Sequence, residues 1–196
     1  MAEPTIAIFG GTFDPPHVGH VLAVHFVLLT QEVERVLVIP SAQHPFGKKH
    51  RGVEHRLEMC RLAFAGLGNR VEVLDIEARR EGKSYTVDTV EQLRRIYPEV
   101  QFTLVIGSDI VSELPQWKDW DRLREMIRLC VLERLDEDAG SARPGDSVRP
   151  HILPRISSTQ IRAMLAEGKS PRNLVPAAVL DYIAKNEIYA NPSLPA

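Results

Sequence analysis

Two histidines three residues apart, His17 and His20, stand in the segment Gly10-Gly-Thr-Phe-Asp-Pro-Pro-His-Val-Gly-His20. At that spacing two imidazoles share one face of a helix. They can donate hydrogen bonds to phosphate oxygens as charge builds up in phosphoryl or nucleotidyl transfer. A helix cap beside a core histidine is the plainer reading of the pair. Half of a metal site is a third, but no clear third ligand lies near in sequence, and no metal ligands are assigned. Gly10 and Gly11 let backbone approach a ligand closely, and a helix N-terminus turns N–H groups toward an anion. The segment lacks the Gly-x-Gly-x-x-Gly of a dinucleotide fingerprint and the Gly-Lys-Ser/Thr of a Walker loop.

A second segment of this kind is Ile156-Ser-Ser-Thr-Gln-Ile-Arg162. Ser157-Ser158-Thr159 opening a helix is first a capping arrangement. Arg162 changes its meaning, because it sits one turn after Ser158 and a helical side chain leans toward the N-terminus. Its guanidinium would join the hydroxyls and amides over one anion. Gly107-Ser-Asp109 is the third conspicuous segment. His25 lies on an apolar helix and reads as structural.

These segments need a scaffold, and the hydrophobic pattern supplies one. Thr5–Phe9, Arg35–Pro40, Val71–Asp75, Phe102–Ile106 and Leu129–Leu132 are short apolar runs that read as buried strands. His151–Pro154 is a candidate for one more. Between them, Val18–Thr30 is apolar on nearly all sides, which predicts a helix packed within the protein. Gly52–Leu67 and Asp119–Ile127 read as helices, and Thr86 is placed to cap another whose stripe is Val87, Val90, Leu93, Ile96 and Tyr97. Two helices close the chain, one after Ser157-Ser158 and one after Pro176. Strands alternating with helices predict an α/β fold with an open parallel sheet covered on both faces. In such sheets ligands sit beyond the carboxyl ends of the strands, and all three segments fall there.

The chain has 196 residues, which predicts one domain, here residues 1–190, with a surface loop at 136–150 and a frayed tail at 191–196. Lys plus Arg number 24 against 26 Asp plus Glu, a net charge of −2 that gives no general drive toward nucleic acid or an anionic membrane. The stretch between Asp14 and Glu32 carries no charged residue but opens on prolines and histidines, too short and too polar to span a bilayer. No basic segment opens the chain as in a signal peptide, and Cys60 and Cys130 are two thiols rather than a disulfide framework. A cytoplasmic protein is expected; self-association is left open.

The first and last segments together resemble the nucleotidyltransferases of the His-x-Gly-His type, and most closely the bacterial nicotinate-nucleotide adenylyltransferases. Ser84-Tyr-Thr-Val-Asp-Thr89, Gly107-Ser-Asp109 with Leu114 and Trp117, and Val175-Pro176 with Tyr182-Ile183 match in the same order. The resemblance implies a Rossmann-like fold and transfer of AMP from ATP to nicotinate mononucleotide, with Mg²⁺ carried in by ATP. It implies that His17, His20 and Arg162 act in catalysis. Gly10, Gly11, Thr12, Phe13, Gly107, Asp109, Ser157 and Ser158 would bind ATP beside them. Ser41, Lys48, Lys49, Thr86 and Trp117 would bind the acceptor. The chain departs from the family's Pro-Asn-x-x-Pro-Pro-His-Lys after the second strand, reading Pro40-Ser-Ala-Gln-His-Pro-Phe-Gly-Lys-Lys49. The alternatives are another adenylyl- or cytidylyltransferase of this fold, acting on phosphopantetheine or nicotinamide mononucleotide, and a nucleotide-binding regulatory module without turnover.

Overall fold

The computed structural model describes residues 4–42, 52–80, 82–133, 147–150 and 156–189. Strands β1 (Thr5–Gly11), β2 (Arg35–Pro40), β3 (Val71–Val73), β4 (Gln101–Gly107), β5 (Ile127–Glu133) and β6 (Ser147–Pro150) form one sheet in the order β3-β2-β1-β4-β5-β6. Every neighbouring pair is parallel. The helices are α1 (Val18–Thr30), α2 (Val53–Phe64), α3 (Thr86–Ile96), α4 (Trp120–Met126), α5 (Ser158–Ala166) and α6 (Ala177–Lys185).

The central strands β1, β2 and β4 are almost wholly apolar in their middles because both faces of the sheet are covered. Side chains alternate between the faces. Ala7, Val36, Val38, Val105 and Cys130 pack with Val24 of α1, Met59 of α2, Ile161 of α5 and Val179 of α6. Ile6, Ile8, Leu37, Ile39, Leu104 and Ile106 pack with Val90 and Leu93 of α3 and Leu123 of α4. Leu93 is fully buried, so its truncation to alanine would cost ~2–5 kcal/mol.

Several elements differ from the sequence expectation. The sixth strand lies at Ser147–Pro150, inside the stretch expected to be loop, while His151–Pro154 falls outside the described residues. The strand expected to reach Asp75 stops at Val73, although the Leu74 N–H still donates to the Val38 carbonyl at 2.9 Å. The helix expected to reach Leu67 ends at Phe64 and tightens into a 3₁₀ helix over Ala65–Arg70. Helix α1 is not enclosed: Ala23, Val24 and Val27 meet the sheet, whereas Leu22, His25 and Leu29 are exposed, Leu29 at 82%. One sheet face can cover only one side of a helix, and nothing among the described residues packs on the other. Thr86 does not cap α3. Extended Tyr85 holds that position, and Thr86 is the first helical residue. Ile96 is exposed because it lies to one side of the face on which Val90, Leu93 and Tyr97 meet the core. Among the described residues no helix is long and apolar enough to cross a membrane.

Candidate active site

From β1 the chain crosses to β2 on one side, and β4 later pairs with β1 on the other. The strand order therefore reverses at β1/β4, where loops diverge and leave a crevice at the carboxyl ends. A cavity of about 660 Å³ opens there, lined by Gly10, Gly11, Thr12, His17, His20, Ser41, Thr86, Gly107, Asp109 and Trp117. Its volume suits a small-molecule site.

The histidines meet at the start of α1. Their rings stack with centroids 3.6 Å apart and planes inclined by 21°. The backbone N–H of His17, the residue at the helix cap, donates to Nδ1 of His20 at 3.1 Å. Accepting there leaves Nε2 to carry the proton of the neutral ring. Capping and phosphate chemistry are thus compatible in this pair: one ring nitrogen of His20 serves the backbone at the helix start, and the ring lines the cavity.

Phe13 positions His20 from behind. Its ring is buried and meets the His20 ring edge-on at 4.9 Å, while its backbone adopts a φ of 52°. A left-handed aromatic residue costs ~1–3 kcal/mol, which the surrounding ring contacts with Phe9 and Phe64 offset. Gly11 must be glycine for this packing, since a Cβ there would stand 3.0–3.3 Å from the Phe13 ring. A Cβ at Gly107 would displace the Asp109 carboxylate, whose Oδ1 occupies that space.

Ser157, Ser158 and Arg162 do not line the cavity. Ser158 and Arg162 bind the loop that forms it. Ser158 Oγ donates to the Pro15 carbonyl at 2.9 Å, and Arg162 Nη1 donates to the Asp14 carbonyl at 2.8 Å. Arg162 Nη2 also donates to Thr159 Oγ1 at 3.2 Å, and Ser157 caps α5 by accepting from the Gln160 N–H. The Asp14–Pro15 peptide between these anchors is cis. Tyr189, beyond α6, donates to the buried Asp14 carboxylate at 2.5 Å.

Sequence reasoning missed Arg56. It is buried in α2, donating to the Thr12 carbonyl at 2.8 Å and the Ala42 carbonyl at 3.2 Å. Burial pulls its pKa down, against the attraction of the Asp14 carboxylate. The guanidinium thereby ties the glycine loop to the start of the segment after β2. Ser41 lines the cavity; its N–H donates to the Gly11 carbonyl, and its buried hydroxyl has no partner among the described residues. Lys48 and Lys49 lie outside the described residues.

Ser84 and Thr89, the ends of the matched segment, also line the cavity, and so does Glu77, which sequence reasoning missed. Burial pushes the Glu77 carboxyl above the ordinary glutamate pKa, while the Thr89 hydroxyl, donating at 2.9 Å, and the charge of Arg80 hold it down. The signal for Glu77 was its place just past the end of β3, masked by the run of charges through Lys83 that reads as solvated loop. Among the described residues no group of three or more His, Cys, Asp or Glu side chains converges on a metal position.

Comparison with known proteins gives this geometry a family. Residues 8–164 match the cytidylyltransferase-like family model. Curated proteins named "Probable nicotinate-nucleotide adenylyltransferase" are 40% identical over 94% of both chains in Myxococcus xanthus and 42% identical over 94% of this chain and 96% of theirs in Anaeromyxobacter dehalogenans. The fold matches Plasmodium falciparum nicotinic acid mononucleotide adenylyltransferase complexed with NaAD, with a TM-score of 0.79 at 18% identity, over 95% of this chain and 97% of that one. The chain belongs to the cytidylyltransferase-like family, with the nicotinate-nucleotide adenylyltransferases as its relatives.

Proposed function

We propose that this chain joins the AMP moiety of ATP to nicotinate mononucleotide, giving deamido-NAD and pyrophosphate in NAD biosynthesis. The observation that carries the reading is the His17–His20 pair, stacked and hydrogen-bonded on the floor of a cavity at the β1/β4 switch point. Residues 1–190 act as one nucleotidyltransferase domain, in the cytoplasm.

The acceptor's 5′-phosphate is its own nucleophile, since a phosphate monoester's second pKa is about 6. An oxygen of that phosphate bonds to the α-phosphorus of ATP, and the bond from that phosphorus to the bridging oxygen breaks. The electron pair leaves with pyrophosphate. No side chain needs to take a proton, so the protein's work is alignment and stabilisation of departing charge. His17 and His20 serve the ATP phosphates, with the amides of Gly11 to Phe13 beside them. Ser157, Ser158 and Arg162 cover the β and γ phosphates. A guanidinium carries five N–H donors, of which the bonds to Asp14 and Thr159 use two. Mg²⁺ enters with ATP as part of the substrate, held by phosphate oxygens and water. Gly107 and Asp109 border the adenosine; Ser41, Lys48, Lys49, Thr86 and Trp117 take the acceptor.

A pyrophosphate-release assay with ATP and each of nicotinate mononucleotide, nicotinamide mononucleotide and phosphopantetheine tests the reading. Release with nicotinate mononucleotide as the best acceptor is expected. Preference for either other acceptor would move the chain to a sister activity, and no release with any would make it a binding module.

A further inference from the structure

Two segments frame the acceptor half of the cavity: Ser84, Tyr85 and Thr86 at the start of α3, and Gln116, Trp117 and Lys118 just before α4. One precedes β4 in the chain and the other follows it. An ion pair joins them. Lys118 Nζ lies 3.0 and 3.2 Å from the two carboxylate oxygens of Asp88, in the first turn of α3, and 4.8 Å from the centre of the Tyr85 ring. One turn further on, Arg122 Nη2 of α4 meets Glu91 Oε1 of α3 at 2.6 Å, a second rung between the same two stretches of chain. The backbone beside Trp117 is constrained as well. Its N–H donates to the Leu114 carbonyl at 3.0 Å, and Asp119 turns the chain through a left-handed residue at φ 48°. A displacement of Lys118 is therefore a displacement of Trp117.

We propose that Lys118 and Asp88 are positioning residues for the acceptor: their ion pair, held over the Tyr85 ring, sets the spacing between Thr86 and Trp117 and with it the fit of a pyridine mononucleotide. The inference rests on the function proposed above. His17 and His20 belong to α1 and take no part in the pair, so the ATP half of the cavity is unaffected. An exposed ion pair contributes little to global stability. That separates positioning from a structural role, because acceptor affinity should move while the melting temperature does not.

The test is steady-state kinetics on Lys118→Met, Asp88→Asn, the double variant and Lys118→Arg, with ATP and nicotinate mononucleotide varied in turn. Either single neutralisation should raise the mononucleotide KM about tenfold, with kcat and the ATP KM within about twofold. The double variant should be no worse than either single, since both remove one interaction. Lys118→Arg should restore the KM. Unmoved mononucleotide KM in both single variants would overturn the proposal, as would equal rises for both substrates or a fall in melting temperature that accounts for the loss. A lower KM in Asp88→Asn would also overturn it, because the ammonium would then contact the acceptor directly and Asp88 would compete. If Lys118→Met fails to fold, Asp88→Asn carries the same test. No turnover in the unsubstituted chain would overturn the function and this inference together; turnover with an unmoved KM would overturn only the inference.

Discussion

The backbone N–H of His17 donates to Nδ1 of His20 at 3.1 Å while the two rings stack at 3.6 Å, so the first histidine sets which nitrogen of the second holds its proton. Phe13, packed edge-on against the same ring, restricts its remaining freedom.

His20→Ala should therefore fold and lose turnover by about 10²-fold or more, the scale for removing one donor that stabilises developing charge. Affinity for ATP should fall far less. Single-turnover kinetics alongside equilibrium binding of a non-hydrolysable ATP analogue separates the two. A near-normal rate would remove His20 from the mechanism.

Arg162→Lys should lower kcat by at least about tenfold, since a compact ammonium lacks the planar fork whose separate nitrogens reach the Asp14 carbonyl and Thr159 while presenting further donors to phosphate. Urea denaturation should show a stability loss of about 1–2 kcal/mol from the weakened anchor. Full activity in the lysine variant would contradict a role on phosphate.

Lys48→Ala with Lys49→Ala should raise the mononucleotide KM, or lower turnover, about tenfold, worth roughly 1.4 kcal/mol. The segment carrying them leaves β2 at its carboxyl end, where Ser41 lines the cavity. Kinetics at fixed ionic strength decide the matter, and unchanged constants would make the lysines ordinary surface charges.

Glu77 predicts a pH signature in stability. Its folded pKa lies above the unfolded value, so the native state binds more protons than the unfolded state between the two. Its contribution is complete below the unfolded pKa and is lost as pH rises through the folded one. Glu77→Gln keeps the shape without the ionisation, so the stability of the wild type minus that of the variant should decline as pH rises from mildly acidic toward neutral. Thermal unfolding of both proteins across that range measures it; a rising difference would mean that the carboxylate is the favoured form.

The parallel sheet was legible because strands covered on both faces carry a continuous apolar signal, as Val36–Ile39 and Phe102–Ile106 do. The site was legible where glycine and histidine stand at a strand's carboxyl end. Less legible was everything decided by tertiary partners. The apolar composition of α1 suggested enclosure, yet Leu29 is 82% exposed, because periodicity shows what a helix could bury and not what is present to cover it. Arg56 reads as one more surface cation in a charged helix, and only the meeting of α2 with the Thr12 and Ala42 carbonyls gives it a buried role. Arg162 was placed near phosphate by its own helix, but its bond to Asp14 spans 148 residues and has no local signature.

The three fastenings on the Asp14–Pro15 carbonyls and the Asp14 carboxylate come from Ser158, Arg162 and Tyr189, at separations of 143, 148 and 175 residues. Contacts of such length close late, because the loop entropy they must overcome is offset only after the intervening sheet has formed. On the ribosome, β1 and the glycine loop emerge long before Tyr189 and wait for the 175 residues that separate it from Asp14. The domain therefore acquires its shape before its cavity is secured: a chain that stops short of Tyr189 can hold most of a sheet while the glycine loop lacks one of its fastenings.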